Sequence, residues 1–96
     1  MTTGEKIQAI ANHYGMGNQL LILAEECSEL TKAALKMIRY PDREESRRNL
    51  LEEMADVEIM LRQIEYFLSV QDAAVIGTFI REKLDRQLKK VEEENG

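Results

Sequence analysis

The 96-residue chain has no tryptophan, three tyrosines, two phenylalanines, one proline, one cysteine and one histidine. So few aromatic residues, with little proline and glycine, argue against a β-sandwich or barrel. One cysteine excludes an internal disulfide, and one cysteine with one histidine excludes a Cys/His zinc site. Basic residues are also in short supply. Thirteen Lys and Arg face eighteen Asp and Glu, a net charge of −5. That balance disfavours nucleic acid and anionic membranes, both of which need a basic footprint. No apolar run approaches the length of a membrane span, and Met1–Lys6 leads into no apolar signal core. The expectation is a soluble cytoplasmic protein.

What is abundant is Leu, Ile, Glu, Lys and Ala, and a hydrophobic fraction of 44% is ordinary for a folded chain. The length suits a single domain over residues 1–96, and no repeat, linker or low-complexity tract divides it. Periodicity predicts four helices. The first covers about 5–13, ended by Gly15 and Gly17. The second runs from Asn18, a good N-cap, to about Arg39, where Pro41-Asp42 breaks it. The third is capped by Asp42 or Ser46 and reaches about Ser69. The fourth follows a turn at Gln71-Asp72 and ends near Glu94. The expected fold is all-α, an antiparallel helical bundle of three long helices plus a short N-terminal one.

With so many acids, position has to discriminate. On a helical wheel of the second helix, Leu20, Leu23, Cys27, Leu30 and Ala34 form the main apolar stripe. A second line beside it reads Ile22, Glu26, Glu29, Ala33 and Met37. Glu25, Ser28, Lys32, Lys36 and Arg39 occupy the opposite side, facing water. On the third helix Leu50, Val57, Leu61, Ile64 and Leu68 make the stripe, flanked by Glu53 and Asp56 in line with Met60 and Phe67. Each long helix therefore carries an i,i+3 acidic pair on a largely apolar face, and residues so spaced are neighbours. Two facing pairs would raise one another's pKa unless something positive sat among them. One answer is a hard divalent cation, since all-oxygen ligation favours Mg²⁺, Mn²⁺ or Ca²⁺. The other is ion pairing with Lys or Arg from a neighbouring helix.

The motif Glu26-Cys-Ser-Glu29, followed after 23 residues by Glu53-Met-Ala-Asp56, resembles the ExxE…ExxD signature of the MazG-like all-α nucleoside triphosphate pyrophosphohydrolases. The flanking Leu-Ala-Glu-Glu-Cys-Ser-Glu-Leu and Leu-Leu-Glu-Glu-Met-Ala-Asp-Val agree, and the likeness extends from about His13 to Val91. The resemblance implies a Mg²⁺-dependent hydrolase, with Mn²⁺ as a substitute, that cleaves an NTP or dNTP to the monophosphate and pyrophosphate. It makes Glu26, Glu29, Glu53 and Asp56 the metal ligands, with Glu29 or Glu53 as candidate general base. The family's K-x-x-x-N phosphate-holding pattern falls on Lys83-Leu-Asp-Arg-Gln87, where Gln87 departs from the expected Asn. Relatives form dimers and tetramers, so a homodimer or homotetramer is implied. Leu51, Met54 and Ile59, apolar residues outside the main stripes, point the same way.

Other candidates are weaker. Cys27 reads as a buried core thiol, Met37, Met54 and Met60 as packing, and His13 as a helix-end residue. The alternative function is a non-catalytic helical interaction module, which would bind no metal. A carboxylate-bridged di-metal bundle needs two Glu-x-x-His motifs and is excluded by the single His13. A P-loop is excluded because no GxxxxGK[ST] occurs.

Overall fold

Local capping sets the element boundaries in the computed structural model, which describes all of residues 1–96. α1, Thr3–Tyr14, starts at a reciprocal cap. The Glu5 amide donates to Thr2 Oγ1 at 3.1 Å, and the Thr2 amide donates to the Glu5 carboxylate at 2.9 Å. Gly15 then takes a φ of +81°, in the left-handed region that favours glycine, and its N–H donates to the Ala11 carbonyl at 2.8 Å. α2, Met16–Arg39, begins at once. Asn18 therefore lies inside α2 rather than capping it. Its Nδ2 donates to the Tyr14 carbonyl at 2.8 Å, satisfying an orphan acceptor at the end of α1.

Tyr40 ends α2, and the Arg43 guanidinium stacks over its ring at 3.8 Å across the turn. α3, Glu44–Tyr66, starts from Arg43. Neither Asp42 nor Ser46 caps it, and Ser46 is inside the helix and buried. The next turn falls at 67–69, not at Gln71-Asp72. Ser69 is the reason: its hydroxyl accepts from the Asp72 amide at 3.0 Å while its own amide donates to the Asp72 carboxylate at 3.4 Å. That capping box makes Ser69 a starting residue and launches α4, Val70–Asn95. There are four helices and no strand.

α2 and α3 run antiparallel. Glu26 meets Glu53 and Asp56 near the middle, while Lys36 meets Glu45 nearer the connecting turn. Their contact surface repeats in steps of four and three. It reads 19, 23, 26, 30, 33, 37 and 40 on α2, and 46, 50, 53, 57, 60, 64 and 67 on α3, all buried or half-buried. This is the spacing of a coiled-coil seam. Here polar residues interrupt it: Gln19 and Glu26 on one helix, Ser46 and Glu53 on the other. α1 lies across the open end of the pair with Ala11 fully buried, and Asn12 Nδ2 donates to the Tyr66 hydroxyl at 3.0 Å.

The seam overturns part of the wheel reading. Leu20, Cys27 and Ala34 of the supposed main stripe are exposed, and the line carrying Glu26 faces inward. Cys27 is an exposed free thiol, not a core residue. Met60 is buried and Met37 half-buried, but Met54 is exposed.

α4 departs from the expected three-long-helix bundle. It has no buried residue, and it shares no packing surface with α1, α2 or α3 comparable to the seam. Ile76, Phe79, Ile80, Leu84, Leu88 and Val91 stand exposed along it. The radius of gyration is accordingly 16.8 Å, where a compact chain of this length has about 12.5 Å.

Candidate functional site

Glu26 and Glu53 project inward because each occupies a seam position, with half-buried Leu23 and Leu30 on α2 and Leu50 and Val57 on α3 as neighbours. Asp56 sits one turn after Glu53 on the rim of the seam and is exposed. One carboxylate oxygen from each of these three residues lies within 4.8 Å of the other two. Oxygens on opposite sides of an octahedral Mg²⁺ are about 4.2 Å apart, a spacing close to this one. No ion pair in the chain involves any of the three; those present are Lys32–Glu29, Lys36–Glu45 and Arg48–Glu52. Of the four motif acids only Glu29 has a basic partner, Lys32 on its own helix.

The acids act on one another. The Glu26 carboxyl is held above its usual range, first by desolvation in the seam, then by the charges of Asp56, Glu53 and Glu29, and by a side-chain hydrogen bond with Asp56. Glu53 is raised by desolvation first, then by Asp56, Glu29 and Glu52. Three carboxylates so placed offer an all-oxygen donor set, the chemistry that hard divalent ions take.

The residues expected at the site separate into three groups. Glu26, Glu53 and Asp56 converge. Glu29 lies at the edge, near enough to raise both seam acids, but exposed and held by Lys32 Nζ at 3.3 Å. Lys83 and Gln87 are on the exposed part of α4, and the chain's own fold does not bring them to the acids.

The wheel reading missed the buried amides. Gln19 is 1% exposed and neither its Oε1 nor its Nε2 has a partner; Gln63 is 3% exposed with its Oε1 unpartnered. Ser46, 1% exposed, has an unpartnered hydroxyl. Gln19 stands seven residues before Glu26 on the same seam line, about 10.5 Å along the helix. For Gln19 and Ser46 the signal was available as polar residues seven positions before Glu26 and Glu53, which an apolar-only wheel passes over; Gln63 lies off the seam line and has no such signal. No protein-family model, curated protein or solved structure matches this chain.

Proposed function

We propose that the chain is a Mg²⁺-dependent nucleoside triphosphate pyrophosphohydrolase of the MazG-like kind, releasing pyrophosphate from an NTP or dNTP. One observation carries this reading: carboxylate oxygens of Glu26, Glu53 and Asp56, from two antiparallel helices, lie within 4.8 Å of one another, two of them half-buried and none in an ion pair. The ExxE…ExxD spacing supplies the reaction class by resemblance.

Glu26, Glu53 and Asp56 would hold the ion, and Glu29 would join them by releasing Lys32. A bound divalent cation supplies charge neutralisation at the phosphates and makes water easier to deprotonate. The rest falls to the chain's own groups. Water adds to the α-phosphorus, the bond to the α–β bridging oxygen breaks, and pyrophosphate leaves with that oxygen's electron pair. A motif carboxylate, Glu29 or Glu53, accepts the proton of the attacking water.

The proposal includes a homodimer or homotetramer. Leu51, Met54 and Ile59 on α3 are exposed, as are Leu21, Leu35 and Ile38 on α2 and the apolar line of α4. Apolar surface of that extent marks an interface in a stable protein. The interaction-module alternative shares this surface and differs in needing no metal. A panel of NTPs and dNTPs with Mg²⁺, scored for pyrophosphate, separates the two. Turnover of at least one member supports the hydrolase, and no turnover with no calorimetric metal binding supports the module.

A further inference from the structure

Little holds α1 to the rest of the chain. Ala11 is its one buried residue and Ile7 its one half-buried residue, and every other side chain of the helix is exposed. The bond from Asn12 to the Tyr66 hydroxyl at 3.0 Å, itself exposed, is the only side-chain hydrogen bond between α1 and α3.

What α1 covers is costly to cover. Gln19 and Gln63 lie at the end of the α2–α3 pair that α1 crosses, 1% and 3% exposed. Both polar atoms of Gln19 and the Oε1 of Gln63 are unpartnered. Gln63 lies off the seam line, so α2 alone does not account for its burial. Tyr66, three residues further along the same side of α3, is the residue that takes the Asn12 bond. α4 shares no comparable packing surface with α3, which leaves α1 as the cover. An amide kept from water without a partner disfavours the closed arrangement, because in an open one water supplies the missing bonds.

A plainer reading is an N-terminal helix that frays from its free end. That end is the well-made one, closed by the reciprocal cap of Thr2 and Glu5. The weak points are the docked face and the junction with α2. Gly15 alone separates the two helices, at φ +81° and ψ 160°, and no side-chain cap starts α2. A Cβ at Gly15 would meet nothing within 4 Å, so no neighbour braces the junction there.

We propose that α1 is a strap poised to open, swinging about Gly15 away from the α2–α3 seam and uncovering Gln19 and Gln63. Its thin apolar anchor favours closure, and the unpartnered amides beneath it favour release. The uncovered stretch ends about 10.5 Å along α2 from Glu26, so the strap governs how much of the seam on that side of the acids meets water. The inference is independent of the hydrolase reading, since it rests on the packing of α1 alone.

Native-state hydrogen exchange of the full chain, read residue by residue, tests it. At 12 residues α1 is marginal as a free helix, so its amides lose protection when it leaves the seam. In the wild type, amides of residues 8–14 should exchange at least about tenfold faster than those of residues 26–33 and 53–60. Gln19→Leu and Gln63→Leu keep the bulk and remove the unpartnered atoms, and each should slow exchange in α1 about fivefold or more. Gln71→Leu, exposed on α4, should leave α1 as it is in the wild type. Exchange in α1 no faster than in the seam overturns the strap, because α1 then opens only with the whole molecule. Unchanged or faster exchange of α1 in either leucine variant also overturns it, as does failure of either to fold, since the amides would then hold the helices together rather than release α1.

Discussion

Glu53 is the residue on which the account turns, because its carboxylate is both desolvated and crowded by other acids. Glu53→Gln keeps the shape and removes the charge. The metal-free variant should be as stable as the parent or more so, since the replaced charge was repelled by its neighbours. Mg²⁺ should raise the melting temperature of the variant less than that of the parent. Glu52→Gln is the control. Glu52 is exposed and pairs with Arg48 at 3.2 Å within one helix, so its loss should change stability little and leave the Mg²⁺ response intact. Thermal melts with and without Mg²⁺ read both effects. The raised values of Glu26 and Glu53 also set a pH dependence. A carboxyl whose folded pKa lies above its unfolded value of 4.5 binds protons more tightly when folded. Its contribution to stability is greatest below the unfolded value and is lost as pH rises through the folded one. Metal-free protein should therefore lose this contribution on going from about pH 4.5 towards neutrality, and Mg²⁺ should restore stability at the high end, where the acids are ionised. Urea melts in EDTA across that range check the sign, and a contribution from the acids that grows with pH in EDTA contradicts it.

Among the elements, α4 depends most on its own cap, because little else holds it. Ser69→Ala removes the hydroxyl that accepts the Asp72 amide and should destabilise the start of α4 by about 1 kcal/mol. Amide exchange should accelerate at 70–73 while the α2–α3 seam stays protected, and uniform acceleration through all four helices contradicts a local role. The elements themselves were legible in the sequence. Their type follows from composition and periodicity, and Gly15 marks the first boundary by the backbone it adopts. The Ser69–Asp72 box was equally present in the sequence, but reading Asp72 as a turn residue shifted that boundary by a few positions. Of the site, the i,i+3 acidic pair on each helix was legible from spacing; that Glu26, Glu53 and Asp56 come together while Glu29 stays at the edge was not. Which side of α2 turns inward was not. Leu23 and Leu30 of the expected stripe do line the seam, but Leu20, Cys27 and Ala34 are exposed, because the seam is rotated towards the line carrying Glu26 and Ala33 and hydrophobicity alone does not fix that rotation.

At the scale of the whole molecule the chain exposes more surface than a compact monomer of its mass. Its accessible surface is 7680 Å², against about 5,700 Å² for a folded monomer of this mass. The excess of roughly 2,000 Å² per chain is the size that obligate dimers bury. Sedimentation at micromolar concentration should show a dimer or larger species. Ile80→Glu/Leu84→Glu, two charges on the exposed line of α4, should shift it towards monomer while the circular dichroism of α1–α3 persists; a wild-type monomer contradicts the assembly. Assembly would also give Lys83 and Gln87 a route to the acids of a second copy that they lack within their own chain. The central claim remains that the acid seam hydrolyses nucleotides with a divalent ion. Its most direct measurement is pyrophosphate release from a panel of NTPs and dNTPs, with Mg²⁺ and with EDTA, by the wild type, Glu53→Gln and Glu52→Gln. The account predicts Mg²⁺-dependent release from at least one nucleotide, lost by orders of magnitude in Glu53→Gln and kept in Glu52→Gln. Release that persists in EDTA, or that falls equally in the two variants, would contradict it.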